Sequence, residues 1–204
     1  MLTVGVDAAG VEELLRAGSL RCPDCAGAVC PWGFARPRWL RGADGPVRLH
    51  PRRSRCSGCG ATHVLLPLVA LLRRADAAVV IGTALALKAA GSGHRRIAVE
   101  LGRAAGTVRS WLRRFAGRAE AWRRAFTALA VAVNEDAAPI EPAGSELADA
   151  VAAVGAAVAA IGRRWPVVLT VSAWEVACAV TNGGLLARPG AAELTNTSRL
   201  WAGA

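Results

Sequence analysis

Lysine is nearly missing from this 204-residue chain: of 25 basic side chains, only Lys88 is not arginine. The bias fits a GC-rich genome, and it also supplies forked donors that match phosphate and guanine, which an ammonium group does not. Acidic residues are scarce where the arginines are dense. Residues 1–118 carry 19 basic and 7 acidic groups, a net of +12, against 6 and 8, a net of −2, in residues 119–204. A basic front and a near-neutral back predict a polyanion-binding half joined to a packing or partner-binding half.

Long, strongly apolar runs are missing too. The stretch 150–161 is short and built mostly of Ala, Gly and Val, and the stretch 166–180 holds Glu175. Crossing a bilayer takes about 20 strongly apolar residues, so both read as helices of a soluble protein and no membrane partner is expected. Met1 to Asp7 has no basic stretch, and the acids Glu12 and Glu13 follow. No secretory signal is therefore expected, and the expected location is cytoplasmic, on the nucleoid. Catalytic constellations are also wanting. His50, His63 and His94 lie among arginines, without a Ser or Cys nucleophile and an orienting acid. The back half offers no three-carboxylate set on a strand-rich segment of the kind a two-metal nuclease uses. The expectation is a binder and not an enzyme. At 53% hydrophobic residues the chain is not disordered throughout, although much of that share is alanine, which favours helices and buries little area.

What is present begins with cysteine. Six stand at 22, 25, 30, 56, 59 and 178. Cys22-Pro23-Asp24-Cys25 and Cys56-Ser57-Gly58-Cys59 are two C-x2-C pairs with 30 residues between them. Each such turn aims two thiolates at one point, and two turns supply the four soft ligands that tetrahedral zinc takes at about 2.3 Å. Gly60 follows the second pair, where a positive φ turns backbone amides toward the sulfurs. The expectation is a structural Zn2+ on Cys22, Cys25, Cys56 and Cys59, closed to water and performing no chemistry. Iron also suits four thiolates. Disulfides would need an oxidising compartment, and a redox C-x-x-C needs only one pair, at a helix start. Cys30 and His63 are near enough to replace a ligand; the simpler reading makes Cys30 a spare buried thiol and His63 a strand residue.

Between the pairs, Trp32, Phe34 and Trp39-Leu40 precede the turn 42–46 and Val47-Arg48-Leu49, which reads as a hairpin. The segment 62–66 reads as a third strand. Together these predict a zinc ribbon. Arg36, Arg38, Arg41, Arg48, Arg52, Arg53 and Arg55 fall within 20 residues that hold one acid, Asp44. Such crowding repels itself without a polyanion, so Arg36, Arg38, Arg52 and Arg53 are expected to contact phosphates. Trp32 and Trp39 are expected to form the small core a ribbon needs; the alternative is a surface on which bases stack.

From Arg73 the periodicity becomes helical. Asp76 is placed to cap a helix over 77–90 that Gly91-Ser92-Gly93 ends. A second helix over 94–101, a turn at Gly102-Arg103-Ala104 and a third helix over 105–115 follow the helix-turn-helix pattern. Ile97 and Leu101 face the core, Ala98 permits close approach, and Gly102 suits a positive φ. Arg103 stands at a usually apolar turn position and is expected to point outward. Ala104 stands where a Ser or Thr cap is usual, weakening the cap by about 1 kcal/mol. With Val108, Trp111, Leu112 and Phe115 inward, the outer face presents Ala105, Gly106, Arg109, Ser110 and Arg113. The small tip admits the helix to a major groove, Arg109 is placed to read a guanine, and Thr107, Ser110, Arg113 and Arg114 reach phosphates or base edges. Arg95 and Arg96 are placed to clamp the backbone.

The two cysteine pairs, the run from Arg55 to Pro67 and the run from Gly93 to Gly102 resemble a family of uncharacterised zinc-ribbon/helix-turn-helix proteins from high-GC bacteria. The layout is also similar to the DNA-binding front end of insertion-element transposases. The resemblance covers about residues 10–118. It implies DNA binding and a link to mobile elements, and carries over no catalytic residue.

In the back half, Trp122, Phe126, Leu129 and Val133 form an amphipathic stripe, and an acidic, proline-bearing linker spans 134–144. Ser145 caps a helix whose Leu147, Val151, Val154, Val158 and Ile161 suit packing within the chain better than zipping to a second copy, since they span barely two heptads. Ser172-Ala173-Trp174-Glu175 has capping-box spacing, Asn182-Gly183-Gly184 supplies a stop, and Cys178 is expected to be buried.

The fold class expected is mainly α with a small N-terminal β zinc ribbon. The divisions are 1–70, ribbon with a short N-terminal helix; 71–118, helix-turn-helix; 119–187, helical packing or partner-binding region; and 188–204, a flexible tail. The function expected is sequence-specific binding of double-stranded DNA, as a transcriptional regulator or mobile-element end-binding factor. A homodimer or a protein partner is left to the C-terminal helices. The alternatives are an adaptor whose ribbon docks on transcription or transposition machinery, and a truncated transposase remnant.

Overall fold

The computed structural model describes residues 1–134, 140–166 and 170–187. Its strands are β1 (Leu2–Val4), β2 (Val29–Phe34), β3 (Arg38–Arg41), β4 (Pro46–Leu49), β5 (Arg52–Cys56) and β6 (Thr62–Pro67). Its helices are α1 (Ala8–Arg16), α2 (Ala78–Ala89), α3 (His94–Glu100), α4 (Ala105–Ala116), α5 (Ala119–Val133), α6 (Glu146–Arg164) and α7 (Ala173–Val180). The chain is helix-rich beside a mixed sheet. The tail 188–204 lies outside the described residues, as does the middle of the acidic linker.

The sheet has the order β1-β6-β5-β2, and β3 and β4 form a separate hairpin. The β5–β6 and β2–β5 pairs are antiparallel, with Cys56 opposite Val29 and His63 opposite Ser54. β1 was not expected: it runs parallel to β6, with Leu2 opposite Leu65. Between β1 and β2 comes α1, capped by Asp7, whose carboxylate accepts from the Ala9 and Gly10 amides at 3.0 and 2.9 Å. Leu2, Val4, Val11, Leu15, Val29 and Leu65 close a small core in which Cys22 and Cys56 take part. Aliphatic residues fill it. Trp32 and Trp39, expected there, are 51% and 61% exposed.

The second core runs from Leu71 to Leu186 and gathers α2 through α7. Its largest buried members, Trp111, Phe115, Trp122 and Phe126, come from α4 and α5, in keeping with the stripe predicted on α5. On α6, the alanines at 150, 153, 157 and 160 are buried with Val154 and Ile161, while Leu147, Val151 and Val158 are only half-buried. The helix therefore turns its alanine stripe inward, because small side chains let helix backbones approach closely. Close approach recurs at Gly82 of α2, where a Cβ would lie 1.9 Å from the Trp174 ring of α7. The predicted capping box holds α7: Ser172 Oγ accepts from the Glu175 amide at 3.2 Å, and Glu175 accepts from the Ser172 amide at 2.8 Å. Asn182 then returns to the first strand and accepts from the Thr3 amide at 2.7 Å. No helix among the described residues is long and apolar enough to cross a membrane.

Candidate metal centre and basic face

The two cysteine turns are built alike. In the first, the Cys22 amide donates to Gly27 O at 2.8 Å and the Ala26 amide donates to Cys22 O at 2.9 Å. In the second, Cys56 donates to Ala61 O at 2.8 Å and Gly60 donates to Cys56 O at 3.1 Å. Both need a left-handed residue at the fifth position: Gly60 has φ of 72°, as predicted, and Ala26 has φ of 58° with a side chain. The turns set Cys22 Sγ 3.7 Å from Cys59 Sγ, and Cys25 Sγ 3.4 Å from Cys56 Sγ. All four sulfurs lie within 4.8 Å of one another. A tetrahedron with metal–sulfur bonds of about 2.3 Å has edges of about 3.8 Å, so the four thiolates could hold a metal ion.

The surroundings suit negative sulfur. The Gly58 and Cys59 amides point at Cys56 Sγ from 3.3 and 3.5 Å. The Cys59 amide, most of all, holds the Cys56 thiol down to about 6. Cys59 goes the other way: the Ala61 amide lowers it, but Cys25, burial and Cys22 outweigh that and push it up to about 12. Without a cation the cluster therefore shares out its protons, and a bound cation is what lets every sulfur ionise. Glycine leaves room beside the cluster, since a Cβ on Gly27 would lie 3.1 Å from Cys56 Sγ and 3.3 Å from Cys25 Sγ. His63 is a buried strand residue, as expected, and its Nε2 lies 3.3 Å from Cys22 Sγ, beside the four-sulfur set. Cys30 is exposed on β2 and not the buried thiol expected, because the β2–β5 register puts it opposite the exposed Arg55.

On α4, Val108, Trp111, Leu112 and Phe115 are buried, and Ala105, Gly106, Arg109 and Arg113 are exposed. Thr107, Ser110 and Arg114 sit at its flank, half-buried, and Arg95 and Arg96 are exposed on α3. Gly102 takes φ of 61°, and Ala104 caps α4 without a side-chain bond, both as read from the sequence. Two expectations fail together. Asp76 does not cap α2; Ala77 holds that position. Its carboxylate is buried and accepts from Arg41 at 2.6 Å and from Arg103 at 2.7 Å. Arg103 accordingly points inward, with a further bond to Gly42 O at 3.0 Å. A buried carboxylate needs cationic partners more than α2 needs a side-chain cap.

The arginines of the sheet divide. Arg36 is exposed and Arg53 half-buried, with no partner among the described residues; Arg38 is half-buried, and its Nε is buried without one. Arg52 is engaged: it pairs with Glu12, donates to Gly33 O at 2.8 Å and lies 4.5 Å over the Phe34 ring. That ring stacks on His50 at 4.6 Å. Arg55 lies 4.9 Å over Trp32. The sequence reading missed Asp76 as a hub and Arg118 as a buried cation over Trp122 at 4.2 Å. For Asp76 a signal existed, as it is the only acid between Asp44 and Glu100. No family model matches this chain, and no curated protein or solved structure matches it.

Proposed function

We propose that the chain binds double-stranded DNA as a zinc-ribbon, helix-turn-helix protein, with α4 in the major groove and the metal ribbon adding phosphate contacts. The observation that carries this reading is the outer face of α4. Ala105 and Gly106 give it a slim exposed tip, Arg109 and Arg113 project beyond, and no acid lies on it. A slim tip admits a helix to a groove about 12 Å wide, and a forked arginine matches the edge of guanine. Support also comes from the junction at Asp76 and Gly42, which sets the β3–β4 hairpin against the turn that opens α4. The exposed Arg48 and Trp39, paired across that hairpin, then lie on an element fixed to the reading helix.

Four sulfurs with no oxygen among them suit zinc, which would fix the ribbon's shape and supply no chemistry of its own. The reading makes the protein a regulator or an end-binding factor of a mobile element, and not an enzyme. Salt titration of duplex binding tests it. The metal-loaded protein should lose affinity steeply between about 50 and 200 mM salt, and Arg109→Ala should cost about 1–3 kcal/mol on a preferred duplex. An adaptor that recognises protein alone would be indifferent to both.

A further inference from the structure

One cluster of arginines lies off the outer face of α4. A cavity of about 550 Å³ is lined by Arg73, Arg74 and Arg114 together with Met1, Leu72 and Leu186. That volume is typical of small-molecule sites. The lining combines three cations with an aliphatic part, and it holds no carboxylate. Arg114 lies about 100° around α4 from Arg113 and about 140° from Arg109, so it flanks the outer face and does not sit on it.

Several of the donors have no protein partner among the described residues. Arg74 Nε is buried and has no hydrogen-bond partner, while Nη2 donates to Leu186 O at 3.2 Å. Burial and then the neighbouring Arg114 charge lower the Arg74 pKa. Arg114 uses Nε on Ser110 Oγ at 3.4 Å, and its remaining donors have no partner among the described residues. Arg73 is exposed and holds φ of 56°, a left-handed conformation that strains a residue with a side chain. Three repelling cations raise the free energy of the empty site, and a bound anion relieves that repulsion.

We propose that Arg73, Arg74 and Arg114 bind a phosphate group, carried on a small molecule whose apolar part lies against Leu72 and Leu186, or belonging to a DNA backbone. The first arm of the test does not rest on DNA binding. The metal-loaded full chain is titrated calorimetrically at constant ionic strength with inorganic phosphate and with phenyl phosphate. Both should bind, phenyl phosphate more tightly because of the aliphatic part of the lining. Arg74→Met should weaken binding about tenfold or more, and Arg74→Lys should recover part of it. Arg73→Gly should weaken it likewise while relaxing the backbone, so its loss is not one of folding. Arg163→Met, on the exposed face of α6, should change nothing.

In the second arm a duplex is added. Competition with phenyl phosphate assigns the site to a backbone phosphate, and simultaneous binding assigns it to a small phosphomonoester. A chain that fails to bind any duplex leaves the first arm standing. No binding of either probe up to about 10 mM, or binding unaltered in Arg73→Gly and Arg74→Met, would overturn the proposal.

Discussion

Arg103 Nε donates to Asp76 Oδ1 at 2.7 Å, from inside the turn between α3 and α4. Arg41 takes the other carboxylate oxygen from the β3–β4 hairpin at 2.6 Å, so one buried acid ties the cysteine-bearing half to the helical half. Breaking such a buried network leaves like charges facing each other. Asp76→Ala should therefore cost about 3 kcal/mol in denaturant unfolding, with the metal still bound. Arg41→Met should cost less, because the Arg41 side chain is largely exposed.

Ala26 takes the left-handed position that Gly60 takes in the matching turn. Replacing it by glycine removes a steric cost of about 1 kcal/mol, so Ala26→Gly should raise the melting temperature. Gly60→Ala should lower it. Paired thermal melts of the metal-loaded variants check both signs.

Thiol chemistry separates the two cysteines outside the cluster. Cys30 is exposed, while Cys178 is buried in α7, and burial above all pushes its thiol up to about 12. At pH 8 Cys178 stays protonated and shielded. A thiol reagent should label Cys30 rapidly in the metal-loaded protein, Cys178 only on unfolding, and the four clustered cysteines only after a chelator. Peptide mapping of the labelled sites reads out that order.

The exposed tryptophans give a sharp contrast with a core role. Trp32→Ala and Trp39→Ala should each change stability by less than about 1 kcal/mol, as surface substitutions do. They should still weaken binding to nucleic acid, where an aromatic face contributes stacking. Comparable losses of stability and binding would return both residues to the core.

The features legible in the sequence are those whose causes are local. The turn within each cysteine pair, the Ser172–Glu175 box and the inward pattern of α4 each depend on a few neighbouring residues. What was missed depends on distant partners. The Thr3–Asn182 bond joins residues 179 apart, and β1 pairs with β6 with the whole cysteine-bearing segment between them, Leu2 opposite Leu65. Asp76 looked like a helix cap because its partners, Arg41 and Arg103, stand 35 and 27 residues away. Trp32 and Trp39 suit the small core a ribbon needs, yet the alternation along β3 sends Leu40 inward and Trp39 out.

The central claim is that α4 reads duplex DNA. Its most direct test is selection of the metal-quantified protein on a random duplex library with sequencing, at two salt concentrations, beside Arg109→Ala. The account predicts one bound metal per chain, an enriched motif with a guanine whose preference relaxes in Arg109→Ala, and affinity that falls steeply with salt. A folded, metal-loaded protein that retains no duplex at either salt concentration would contradict it.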